Sequence, residues 1–70
     1  IKLDMKYVQG VAADPLKQKT ALAFLHKAIE VGATPLAEGV EERKDFEWLK
    51  QQGYQLFQGY LFGKPSPVPQ

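Results

Sequence analysis

Cysteine is absent from the 70 residues, and histidine, methionine and tryptophan occur once each. Without cysteine there is no disulfide framework and no thiolate chemistry. A lone His26 has no second histidine or thiolate beside it, so no zinc-ligand spacing exists. No apolar run approaches the roughly 20 residues that cross a bilayer. No signal-peptide pattern is present. The formal charge of +1 lacks the one-sign field that draws a protein to DNA, RNA or an acidic membrane. There is also no phosphate-cradling glycine loop and no nucleophilic serine signature. A cytoplasmic setting is the default expectation. At 70 residues the chain is of marginal length for an independent domain. It opens on Ile1-Lys-Leu-Asp4, without an initiator methionine and already inside an apolar strand pattern, which points to a piece of a longer chain.

What is present is one plan, repeated. Residues 1–5 read as a short strand, with Ile1 and Leu3 on one face and Lys2 and Asp4 on the other. Asp14-Pro15 is a helix start: a side-chain acceptor at the N-cap, then a preset φ. The following helix is predicted over about 15–31, with Leu22, Leu25 and Ile29 as its apolar stripe, widened by Ala21 and Ala28. Gly32 stops it. Thr34–Ala37 is the second strand; Pro35 cannot donate to a ladder, so it must open that strand or lie just outside it. A second helix covers about 42–52, with Phe46 and Leu49 buried and Trp48 partly covered. Glu41, Glu42 and Asp45 lie near its positive end. Gly53 stops it, and Tyr54–Phe62 reads as a third strand. The tail 63–70 is proline-rich and non-periodic, a loop or linker. Strand–helix–strand–helix–strand with short connections implies a parallel α/β sheet. Periodicity alone leaves an open sheet and part of a (β/α)8 barrel equally admissible.

In each strand the apolar run ends in polar residues. Parallel strands of a barrel deliver such residues to their C-terminal rim. Glu38 is the sharpest candidate. A carboxylate carried inward needs a metal, a cation or a proton, and at a barrel mouth it can act as general base. A structural alternative is a strand-end pair with Lys2. Lys2 offers a compact positive charge to a phosphate or an activated water, and Asp4 can orient it; simple pairing or solvent exposure is the plainer reading of both. Gln58 both donates and accepts. Gly39 and Gly59 suit tight backbone, and Glu41 is either a rim group or a cap of the second helix. Tyr60 and Phe62 could stack on a base or be ordinary strand aromatics. His26 reads as a helix-surface residue.

Lys2-Leu-Asp4, Ala37-Glu-Gly-Val-Glu41 and Gln58-Gly-Tyr-Leu-Phe62 with Lys64-Pro65, in this order and spacing, resemble the C-terminal part of the EAL domain. The resemblance covers nearly the whole chain but only the last quarter to third of such a domain. It implies a C-terminal β-α-β-α-β fragment of a modified (β/α)8 TIM barrel over 1–62, its strands being the sixth to eighth. It implies a cyclic diguanylate phosphodiesterase that opens cyclic di-GMP to linear pGpG with Mg²⁺ or Mn²⁺ in the intact domain. By position, Lys2 resembles the lysine that meets the attacking water or phosphate. Glu38 resembles the general-base glutamate or a ligand of the second metal. Gln58 resembles the glutamine that supports substrate and water. Asp4, Glu41 and Gly59 fall in supporting places.

The chain also departs from that pattern. Glu42 stands where the family has a threonine, a better helix cap by about 1 kcal/mol. Pro35 replaces an apolar strand residue. The glutamate-alanine-leucine motif, the family asparagine, the mid-barrel glutamate and the paired aspartates of the fifth strand are not here, so the principal metal ligands are absent and no cofactor is expected for this chain alone. Three readings stay open: part of an active phosphodiesterase, part of a degenerate domain that binds cyclic di-GMP or a protein partner, and an unrelated βαβ unit with a structural rim. The expected partners are cyclic di-GMP in the intact domain, and the rest of the barrel or another chain to complete the sheet. A homodimer is one such arrangement.

Overall fold

The computed structural model of the chain describes residues 1–59. Its elements run β1 (Lys2–Leu3), α1 (Met5–Val8), a 3₁₀ turn (Val11–Ala13), α2 (Pro15–Glu30), β2 (Leu36–Ala37), α3 (Arg43–Gln52) and β3 (Leu56–Phe57). The strands form one parallel sheet in the order β1-β2-β3.

Local chemistry accounts for the boundaries. Asp14 caps α2: its carboxylate accepts from Leu16 N at 3.0 Å and Lys17 N at 3.3 Å, with Pro15 in the first turn. Strand β2 starts at Leu36, whose N–H donates to Ile1 O at 2.9 Å, and Pro35 lies buried just ahead of it, where no ladder donor is needed. Glu42 holds the N-cap place of α3 without a side-chain hydrogen bond, as a poor capping residue should.

The sheet has two unlike faces. In register, Leu3, Ala37 and Phe57 form one row, and Lys2, Leu36 and Leu56 the next. Leu3 and Ala37 are buried in the core with Val8, Val11, Leu25 and Leu49. Burial of a side chain the size of Leu49 stabilises by about 1.5–3 kcal/mol. Phe57 is half-buried and meets Phe46 edge-on, ring centroids 4.8 Å apart. In the other row Lys2 and Leu56 are exposed, Leu56 at 48%, and Leu36 is half-buried.

Four expectations need correction. The first strand does not reach Met5, because Asp4 turns to accept from Lys6 N at 3.0 Å and starts α1. Ile29 is not part of the buried stripe: Ala21, Leu25 and Ala28 take the core side of α2, and Ile29, turned about 100° beyond Ala28, is 64% exposed. Asp45, expected to serve the positive end of the second helix, is buried, and its carboxylate accepts from Gly10 N and Ala12 N instead. Tyr54 precedes β3 instead of opening it, since its ring enters the core and its hydroxyl donates to Ala21 O at 2.8 Å. The expected continuation of the third strand through Tyr60–Phe62, and the tail, lie outside the described residues.

Candidate functional site

Parallel register sets the site. Lys2, Leu36 and Leu56 are level, so Asp4, Glu38 and Gln58 fall together two residues further on, past the C-terminal ends of the strands. The ladder continues into these residues: Glu38 N donates to Leu3 O at 3.1 Å and Gln58 N to Ala37 O at 2.9 Å. Side chains two apart share a face, so Glu38 and Gln58 lie on the uncovered side. Lys2 sits one side-chain row deeper than expected for a rim residue. Its long stem makes up the difference: Lys2 Nζ is 3.5 Å from Glu38 Oε2.

Glu38 is half-covered, at 27% side-chain exposure, and Lys2 is open at 62%. A pair this exposed contributes little to stability, at most about 1 kcal/mol. It does orient the carboxylate toward a positive charge. Gln58 is exposed, and its carbonyl accepts from Val40 N at 2.9 Å. Its side-chain amide makes no hydrogen bond among the described residues. It is free to donate and accept.

The backbone between these groups is crowded. Gly39 has φ +73°, and a Cβ there would collide with Met5 Cβ. Gly59 has φ +149°, and a Cβ there would run into the Val40 carbonyl oxygen. Both glycines are therefore demanded by close approach at the rim. Gln9 Nε2 donates to Gly39 O at 3.2 Å.

The remaining predicted residues part from Glu38. Asp4 spends its carboxylate on the α1 cap. Glu41 is exposed, follows buried Val40, and makes no capping bond, so its capping role is not realised. The residue that sequence reasoning passed over is Asp45, 2% exposed. Its two oxygens accept from Gly10 N at 2.9 Å and Ala12 N at 3.0 Å. The available signal was its place four residues before Leu49, on the buried stripe of α3, where a carboxylate must find donors.

A divalent ion asks for several oxygen ligands. Among the described residues no cluster of three or more aspartate, glutamate, histidine or cysteine side chains forms. Asp4 and Asp45 are already committed, and Glu38 faces a lysine. This segment does not fit a metal cage by itself; Glu38 could contribute one ligand.

The family model for the EAL domain matches residues 1–65. The chain belongs to the EAL domain family. The cyclic di-GMP phosphodiesterase PdeR of Escherichia coli (strain K12) is 36% identical over 68 residues, covering 97% of this chain and 10% of PdeR. A standalone versatile EAL protein from Vibrio cholerae O395, in its c-di-GMP-bound form, superposes with a TM-score of 0.88 at 40% identity, over 93% of this chain and 27% of that one. Klebsiella pneumoniae BlrP1, solved as a manganese/cyclic diGMP complex at pH 9.0, gives a TM-score of 0.85 at 35% identity over 89% of this chain and 16% of its own. BlrP1 is also known as a calcium/cyclic diGMP complex. The chain thus spans a small part of these relatives, and its fold is a β-α-β-α-β segment of the EAL barrel.

Proposed function

We propose that this chain supplies the Lys2–Glu38–Gln58 rim of an EAL domain that hydrolyses cyclic di-GMP to linear pGpG. The observation that carries the proposal is that Glu38 and Gln58 stand level past the strand ends, with a Gln58 amide that has no partner among the described residues; the 3.5 Å Lys2–Glu38 contact is shared with the structural alternative. In this reading the Glu38 carboxylate takes the proton of the attacking water. The Lys2 ammonium holds that carboxylate and offsets charge on the phosphodiester. The Gln58 amide donates to the substrate or the water. Asp4, Glu41 and Gly59 shape the rim around them.

Relatives solved with manganese or calcium beside cyclic diGMP support a divalent requirement for the complete domain. Mg²⁺ or Mn²⁺ would neutralise phosphate charge there, on ligands that this chain does not provide. The rest of the barrel would cover the Leu36–Leu56 row, with 1–62 as barrel and 63–70 as tail. None of the described helices is long and apolar enough to cross a membrane; a cytoplasmic location is part of the proposal.

The test is turnover by the complete domain. Glu38→Gln keeps the size but cannot accept the proton, so the rate should fall by about 10²–10⁴-fold. Binding of cyclic di-GMP, measured with calcium as the ion, should fall far less. Full-rate hydrolysis by the Gln variant would remove Glu38 from the mechanism. Tight binding without turnover in the unmodified domain would instead identify a binding module.

A further inference from the structure

The backbone that carries Glu38 is held from three sides. Strand β1 holds it through Glu38 N to Leu3 O at 3.1 Å, and the end of β3 through Val40 N to Gln58 O at 2.9 Å. The first continues the β1–β2 ladder, and the second joins the main chain past the strand ends. The peptide between them is held differently: the Gly39 carbonyl accepts from the side-chain amide of Gln9, at 3.2 Å and 30 residues away in sequence. Among the described residues no backbone N–H reaches that carbonyl, and Gly39 at φ +73° turns the chain off the sheet.

Gln9 is itself braced. Its N–H donates to Met5 O at 2.9 Å, closing α1. Its carbonyl accepts from Lys17 Nζ at 2.6 Å. The next residue, Gly10, donates its N–H to the buried Asp45 carboxylate. A cation from α2 and an anion from α3 therefore fix the carbonyl and the N–H of the single Gln9–Gly10 peptide group, next to the side chain whose amide reaches the rim. Met5, at the other end of the same short helix, lies against Gly39 so closely that only a glycine fits. The α1 turn is a platform for the Glu38–Val40 turn.

We propose that Gln9 is a positioning residue for Glu38: its amide holds the Gly39 carbonyl and so sets the direction in which the Glu38 carboxylate leaves the rim. The proposal rests on the reading of Glu38 as the group that accepts the water's proton. Misplacing such a group by about 1 Å can cost about 10²-fold in rate. Substrate binding, spread over the whole mouth, is far less sensitive to this one bond.

The experiment uses the complete EAL domain with cyclic di-GMP. Gln9→Met keeps the shape and removes the donor. Its kcat should fall by about 10- to 10²-fold, while binding of cyclic di-GMP with calcium as the ion stays within about threefold of the unmodified domain. In the Glu38→Gln background, adding Gln9→Met should change the remaining rate by less than about twofold, because a residue acting through Glu38 has nothing left to act on. Gln9→Glu supplies the pH readout. An ionised carboxylate cannot donate to Gly39 O, whereas a protonated carboxyl can, so the variant's rate relative to the unmodified domain should rise as pH falls. That ratio decides alone if Gln9→Met fails to fold, as judged by thermal unfolding. An unchanged kcat for Gln9→Met beside an impaired Glu38→Gln would overturn the positioning role and leave the proposed function standing. An equal fold-loss in both backgrounds would also overturn it, showing an effect on the fold instead. Full activity of Glu38→Gln alone would remove the underlying reading and this proposal with it, and needs no Gln9 variant to be seen.

Discussion

At the residue scale, two buried polar groups carry more structural weight than their places in the sequence suggest. Asp45 satisfies both of its oxygens with backbone donors from the turn after α1. Asp45→Asn leaves one acceptor and places an N–H₂ against a backbone N–H. The cost should be about 1–3 kcal/mol, visible as a lower unfolding midpoint in denaturant. Replacement by Asn without loss would show that the turn is held by other means. Tyr54 is the second group. Burial pushes its hydroxyl up to about 12 from 10.0. The proton is held more tightly in the folded state, so this contribution to stability is complete below the unfolded value of 10.0 and is lost as pH rises toward about 12. A pH series of unfolding midpoints should therefore decline through that alkaline window. Tyr54→Phe should lose about 1 kcal/mol at neutral pH, with the hydrogen bond to Ala21 O, and should flatten the alkaline decline. A decline of the same size in the Phe variant would assign it to other groups.

At the element scale, α3 is the weakly capped helix. Glu42 occupies its N-cap without a side-chain bond, whereas Asp14 makes two at the start of α2. Glu42→Ser should stabilise by about 0.5–1 kcal/mol, with no change in turnover, since Glu42 is exposed and its ion pair with Lys44 at 3.7 Å is weak. An unchanged midpoint would mean that α3 is held by its buried face alone. The turn before it behaves in the opposite way. Gly39→Ala adds a Cβ that meets Met5 and holds a left-handed conformation costing about 1–2 kcal/mol before any collision. The variant should lose more stability than Glu42→Ser gains. It should lose kcat as well, because the displaced turn carries Glu38.

At the scale of the whole molecule, the sheet has two edge strands, β1 and β3, with no further strand beside them among the described residues. Leu56, on the edge strand β3, is 48% exposed, and an uncovered apolar strand edge invites pairing with another chain. Residues 1–70 produced alone should therefore associate or fold poorly, and should show no turnover of cyclic di-GMP with Mg²⁺ or Mn²⁺, since no cluster of three candidate ligands forms among the described residues. Linear dinucleotide formed over many turnovers by a verified monomer would defeat this expectation. Activity recovered on adding a separately made upstream segment would place the missing ligands there.

The order of elements was legible because each depends on neighbours in sequence. Asp14-Pro15 starts α2 by a side chain meeting its own next turn, and the proline at 35 marks where β2 begins. The polar residues after the apolar runs announced the rim, since a strand's alternation fixes which residues share a face. Lys2, Glu38 and Gln58 were all named on that ground. What tertiary structure alone decided is which polar groups meet. Asp4 left Lys2 for the cap of α1, and Lys2 went to Glu38. Gln9 reached Gly39 across 30 residues, and Asp45 reached Gly10 across 35. Helix periodicity put Ile29 in one stripe with Leu25, Ala21 and Ala28, and could not say that the last three would take the core side of α2 and leave Ile29 out. Those outcomes depend on distances between elements, which are set by how closely the helices settle on the sheet, and no local preference of the chain contains them.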